Sequence, residues 1–137
     1  MARLVTLRDT DGEIIYPQTV SDMDYSTSEQ DTGRKWIDGK PIYQKTINTG
    51  TLPQNGATTS VDISSLSVDI VVDYRGMAWA SASKNFRVIP FVGESMNNML
   101  RVDIQGGTAL RIVSTTSSDW GNYGNSYVTL WYTKTTD

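Results

Sequence analysis

With neither histidine nor cysteine in the chain, the chemistry open to it narrows to carboxylates and aromatic rings. Ser-His-Asp triads, histidine base catalysis and histidine- or thiolate-ligated metals are excluded together. No glycine-rich phosphate loop of either common type is present. Asp9-Thr10-Asp11-Gly12-Glu13 has the outline of a calcium loop. It lacks the third alternating ligand before the glycine and the distal glutamate that such a loop requires. A hairpin turn, with Asp accepting backbone N–H bonds, is the better reading. Two carboxylates at a suitable separation could hydrolyse a glycoside, yet nothing in the spacing singles out a pair among the 15 Asp and Glu residues. The expectation is a chain with no catalytic residue, no metal site and no cofactor, and therefore not an enzyme.

The aromatic residues divide in two. Trp79, Phe86, Phe91 and Trp131 lie inside apolar runs and are expected mostly in the core. Trp120 and Tyr123 sit instead in a loop of small polar residues, Ser117 to Ser126. An aromatic face beside Asp and Asn suits sugar stacking with hydroxyl hydrogen bonds, and binding residues concentrate on such loops. The glycan-contact reading names Asp119, Trp120, Asn122 and Tyr123. The alternative, favoured here, is that Trp120 folds back to cap the domain or packs against a neighbouring subunit.

These residues need elements to hold them, and composition says which. The chain of 137 residues has room for one core. It carries 17 Thr, 14 Ser, 7 Tyr and 4 Trp against 6 Ala, 7 Leu and 3 Glu. β-Branched and aromatic side chains suit a pleated, half-buried surface, while the best helix formers are scarce, so the class is all-β. Leu4–Leu7 and Glu13–Tyr16 read as a hairpin closed by Pro17, and the polar stretch 18–32 as a linker, which makes 1–32 an N-terminal arm. From Gly33 the strand signals are denser. Arg34–Ile37 runs into Asp38-Gly39, a type I′ hairpin signal, and returns as Pro41–Asn48. Gly50–Ser60 reads as a loop and Val61–Leu66 as a short strand or a turn of helix. Further strands are expected over Val68–Tyr74, Met77–Ala82, Phe86–Phe91, Met99–Gln105, Leu110–Val113 and Tyr127–Thr133, with turns at Arg75-Gly76 and Gly106-Gly107. Val71-Val72 breaks the alternation, as a bulge or a doubly covered strand would. About nine short strands separated by turns make 33–137 an antiparallel β-sandwich or jelly roll.

The net charge is −3 and the basic residues are scattered, so nucleic acid is not an expected partner. No run reaches the 18 apolar residues of a membrane helix and no signal peptide is evident, so no membrane partner is expected. The absence of Cys leans toward assembly in a reducing cytoplasm.

Three segments resemble one family. Tyr25-Ser26-Thr27-Ser28-Glu29-Gln30, leading through Gly33 to Trp36-Ile37-Asp38-Gly39-Lys40-Pro41-Ile42-Tyr43-Gln44-Lys45-Thr46, resembles a "Y-S-T-x-E-x … W-x-D-G-K-P-I-Y-x-K-T" segment. That segment recurs in tail-fibre, baseplate and head-fibre proteins of bacteriophages. The run Val128 to Asp137, with its Tyr132-Thr133-Lys134-Thr135, is similar to the "Y-T-K-T" ending of the same domain. Leu7-Arg8-Asp9-Thr10-Asp11-Gly12-Glu13-Ile14-Ile15-Tyr16-Pro17 is similar to the "L-x-D-x-x-G-x-x-I-Y-P" heads of phage fibre proteins. Arg34-Lys35 ahead of Trp36 departs from the pattern, which expects shorter or more apolar residues.

The resemblance implies a non-enzymatic β domain of the virion: a homotrimer on a fibre, capsid or tail tip that touches other virion proteins. A host-glycan-binding module of the tail, engaging surface polysaccharide, is the alternative. An isolated two-stranded hairpin is marginal in water, so the arm's Leu4, Leu7, Ile14 and Ile15 are expected to find a buried face on another subunit or on the particle.

Overall fold

The computed structural model describes residues 24–93, 99–115 and 120–137, and, ahead of them, two short paired strands, β1 (Leu7–Arg8) and β2 (Ile14–Ile15). Leu4 and Asp119 lie outside the described residues. For Leu7, Ile14 and Ile15 only the pairing Leu7↔Ile15 and Arg8↔Ile14 is described. Strands account for 59% of the structure, far above the 20–25% of an average globular domain. Among the described residues the one helical feature is a single 3-10 turn, Ser64–Leu66.

The architecture is an all-β sandwich of two antiparallel sheets. One has five strands in the order β3 (Gln30–Lys35), β4 (Pro41–Asn48), β11 (Asn125–Lys134), β6 (Val68–Ala80), β7 (Asn85–Ile89). The other has four, in the order β5 (Thr58–Asp62), β10 (Ala109–Ser114), β9 (Met99–Gln105), β8 (Phe91–Val92). Alternation decides which side chains meet between them. Ile47, Val128, Leu130 and Tyr132 point in from the first sheet, and Leu100, Leu110 and Ile112 from the second, forming one buried cluster. Each such aliphatic side chain, fully buried, is worth about 1.5–3 kcal/mol.

Two strands, Pro41–Asn48 and Met99–Gln105, fall where the sequence predicts them. The predicted bulge at Val71-Val72 is present: Trp131 pairs with Asp73 and Tyr132 with Val71, leaving Val72 as the extra residue. A second irregularity follows near Ile70, whose N–H is taken up by the Thr133 hydroxyl at 3.3 Å.

Other expectations need correction. The linker does not run to Thr32, because Gln30 and Asp31 pair with Gln44 and Tyr43 and the Ser26 carbonyl accepts the Thr46 N–H at 2.8 Å. The first hairpin is not type I′. Of its turn residues only Gly39 has positive φ, and the bonds Gly39 N–H to Trp36 O and Trp36 N–H to Lys40 O describe a type I turn followed by a glycine bulge. Part of the expected 50–60 loop is strand β5, and the 3-10 turn follows it.

Arg75-Gly76 is not a turn but the middle of β6. A Cβ on Gly76 would lie 2.9 Å from Ile89 Cβ and 3.3 Å from Val128 Cγ2. The glycine is there so that two branched core residues, one from each neighbouring strand, can close over it. The predicted strand Phe86–Phe91 is cut at Pro90: β7 belongs to the five-stranded sheet and β8 to the other, so the chain changes layers at this residue.

Candidate functional site

Among the described residues of the predicted sugar-stacking loop, both rings are buried and present no stacking face. Trp120 is 4% exposed and Tyr123 9%. The Trp120 ring stands edge-on to Phe91 at 5.4 Å and to Tyr123 at 5.6 Å. The Arg87 guanidinium lies over Phe91 at 5.3 Å and over Tyr123 at 5.9 Å, closing the end of the sandwich with a cation on aromatic faces. Asn122 is exposed, but the rings beside it are turned inward. The favoured packing reading is the one the structure supports, and the glycan reading of Trp120 and Tyr123 is corrected.

The carboxylates of the sandwich are held by structural partners. Asp103 takes both guanidinium arms of Arg111 at 2.7 Å, Asp69 takes Lys40 at 2.7 Å, and Asp62 accepts the Ser64 N–H at 2.9 Å. Among the described residues no group of three or more Asp, Glu, His or Cys side chains converges to hold a metal ion. The Arg111 hydrogen bonds hold the Asp103 carboxyl below the usual 3.8. The pair therefore adds stability above that value and loses it as pH falls through the lowered pKa. Wild type is expected to resist urea better than Asp103→Asn at neutral pH, with the difference shrinking as pH falls below the ordinary carboxylate range and through the lowered pKa. Parallel urea titrations across that range check it.

The segments 25–46 and 128–137, far apart in the chain, come together. Tyr43 pairs with Tyr132 in register, their rings 6.2 Å apart. The Tyr132 hydroxyl donates to Glu29, which also takes Lys134 Nζ at 2.6 Å, and Lys134 lies 5.0 Å over the Tyr43 ring. Burial and the neighbouring Glu29 charge push the Tyr132 phenol far above its ordinary range. These residues form a clasp between strands, with the hydroxyl committed inside it.

The surface that stands out is the outer face of the five-stranded sheet. Along β6 the small residues Gly76, Ala78 and Ala80 point inward, so Met77 and Trp79 point out. Their partners on β7 are Val88 and Phe86, and Tyr127 of β11 pairs with Met77. Trp79 stacks on Tyr127 at 5.8 Å with ring planes 14° apart, and Phe86 is 6.4 Å from Trp79. Farther along the same face Trp131 donates to the Gln44 side-chain oxygen at 2.8 Å under the Arg75 guanidinium. Tyr25 overhangs a depression of about 370 Å³ walled by Met77, Tyr127 and Arg75.

Tyr25 is 66% exposed, Val88 57%, Phe86 55% and Met77 40%, a contiguous apolar patch of the kind that marks an interaction site. The expectation that Trp79, Phe86 and Trp131 are core is corrected accordingly, while Phe91 does pack against the core. The alternation Gly-Met-Ala-Trp-Ala was the signal: three small residues in phase mark the inward side of a strand whose bulk lies outside. Comparison of the chain with family models, curated proteins and solved structures gives no match.

Proposed function

We propose that this chain is a non-enzymatic structural protein of a bacteriophage particle, and that the outer face of its five-stranded sheet is covered by neighbouring subunits. The observation that carries the reading is the open patch of Tyr25, Met77, Phe86 and Val88 around the Trp79–Tyr127 stack. Subunit interfaces are enriched in aromatic residues and Met and depleted of charge at their centre, and this patch has that composition. The resemblance of segments 25–46 and 128–137 to phage fibre and baseplate proteins supplies the setting and the number of copies, three.

Sedimentation or light scattering of the purified protein is expected to give three times 15.2 kDa. Phe86→Glu with Val88→Glu should shift that mass toward one subunit while changing the stability of the isolated domain by no more than about 1 kcal/mol in all, because both side chains are more than half exposed. Wild-type protein that stays monomeric at high micromolar concentration would sink the reading.

A second reading draws on the near-parallel Trp79 and Tyr127 rings, which form a platform suited to a sugar ring from host surface polysaccharide. It predicts that the double variant keeps its mass and loses retention on that polysaccharide.

A further inference from the structure

We infer, resting on the subunit reading above, that the open groove between β6 and β9 receives residues 2–8 of a neighbouring copy as an added strand on the edge of β9. The groove has a volume of about 470 Å³ and is lined by Val68, Val72, Val102 and Ile104, with Asp69, Asp73 and Asp103 also along it. Tyr74, which lines it too, is 38% exposed.

The groove exists because the chain changes layers at Pro90. β8 covers only Met99 and Leu100 of β9. Pro90 has no N–H with which to extend that ladder, and the residues before it belong to the other sheet. From Arg101 to Gln105 the β9 edge facing away from β10 is therefore without a ladder partner among the described residues. The β6 edge across the groove is open too, since β7 pairs only with Gly76 to Ala80. The two edges differ in quality. β6 is broken by irregularities at Val72 and near Ile70, and bulges spoil an edge for pairing. β9 pairs with β10 without a register shift, so β9 is the edge that can take a strand.

Charge selects the occupant. Asp69 is neutralised by Lys40 and Asp103 by Arg111. Asp73 accepts the Tyr74 N–H at 2.8 Å and has no cation partner among the described residues. Residues 1–8 of the chain, Met-Ala-Arg-Leu-Val-Thr-Leu-Arg, carry Arg3 and Arg8 with no carboxylate and, by strand alternation, offer the apolar floor either Leu4 in one phase or Val5 and Leu7 in the other. The sequence ahead of β2 carries Glu13 and is the wrong sign for this groove. β1 holds β2 on one edge and belongs to neither sheet.

Geometry selects the neighbour over the chain's own arm. The described chain enters the sandwich at Tyr25 on the outer face of the five-stranded sheet, the face assigned to subunit contact. An arm leaving there runs into the adjacent copy: Arg8 is held beside Ile14, and the stretch from Ile14 to Tyr25 can span roughly 36–40 Å when extended.

The chain has no cysteine, so disulfide trapping in the full-length protein has no background. Leu4→Cys and Val5→Cys are each paired with Val102→Cys or Ile104→Cys, so that either phase of the added strand presents one thiol to the groove. Mild oxidation is expected to convert most of the protein into covalent oligomers on a non-reducing gel for at least one pairing. A disulfide confined to single chains, or none in any pairing from a protein of trimer mass, overturns the groove inference and leaves the subunit reading standing. A protein of monomer mass before oxidation overturns the subunit reading, and this inference with it.

Discussion

Trp120→Ala is expected to lower the unfolding free energy by about 3–5 kcal/mol, the range for removing a large aromatic from a packed core. At about 4 °C per kcal/mol for a domain of this size, the melting temperature should fall by roughly 12–20 °C. The cause is local and specific. The indole is the ring against which both Phe91 and Tyr123 pack edge-on, and Arg87 rests on those two rings. Without it Phe91 on β8 and Tyr123 in the segment before β11 face a void that the surrounding backbone collapses only partly to fill, and the guanidinium loses its ordered seat. Asn122→Ala, two residues away and exposed, should change stability by no more than about 0.5 kcal/mol. Thermal and urea unfolding followed by far-UV circular dichroism measure both. Near-neutral behaviour of Trp120→Ala would mean that the ring sits outside the core in solution, and would reopen the loop as a ligand site.

Tyr132→Ala is expected to cost a similar amount, about 3–5 kcal/mol, since this is the largest fully buried side chain among the described residues. The more informative variant is Tyr132→Phe. It keeps the ring against Tyr43 and removes only the hydroxyl that donates to Glu29. Hydrogen bonds to charged groups contribute about 1.5–3 kcal/mol, and Lys134 stays to partner the carboxylate, so the lower end is expected. If the bond is the clasp described above, Tyr132→Phe and Glu29→Gln will not add: once the hydroxyl is gone, the second change should cost markedly less than it does alone. Additive costs would show that Glu29 and Tyr132 stabilise the sheet independently.

These sites differ in how far they could be read from sequence, and the reasons are physical. β4 and β9 were legible to the residue because period-2 alternation and a flanking turn agree there. The bulge at Val72 was legible as a break in that alternation. Gly76 was misleading because a glycine required for close approach carries the same local mark as a glycine required for a turn. Only the meeting of Ile89 and Val128 over it tells the two apart.

Trp120 and Tyr123 lie among small polar residues, so local composition advertised exposure. Their burial is decided by Phe91 and Arg87, which come from a different part of the chain. The edge strand β3 was hidden for the opposite reason. Its residues are polar because it lies at the margin of the sheet, and its place is fixed by backbone pairing to β4 together with the clasp beside it, neither of which leaves a hydrophobic pattern. The open aromatic face was present in the sequence as small residues alternating with large ones, and was passed over because aromatic residues in strands are ordinarily assigned to the core.

The place of β11 has a consequence for how the protein is made. Among the described strands it comes last in chain order, yet it occupies the centre of the five-stranded sheet, with β4 on one side and β6 on the other. A chain emerging from the ribosome presents both of those strands before the one that joins them exists, so their facing edges stay unsatisfied until translation reaches Asn125–Lys134. Pairing partners so distant in sequence close large loops and fold slowly, and the waiting edges are open to mispairing with other nascent chains. Chains released short of that strand would be left as two half-sheets, substrates for chaperones and proteases instead of partly working domains. Productive yield of the five-stranded sheet is thereby set by how reliably Asn125–Lys134 is synthesised and inserted.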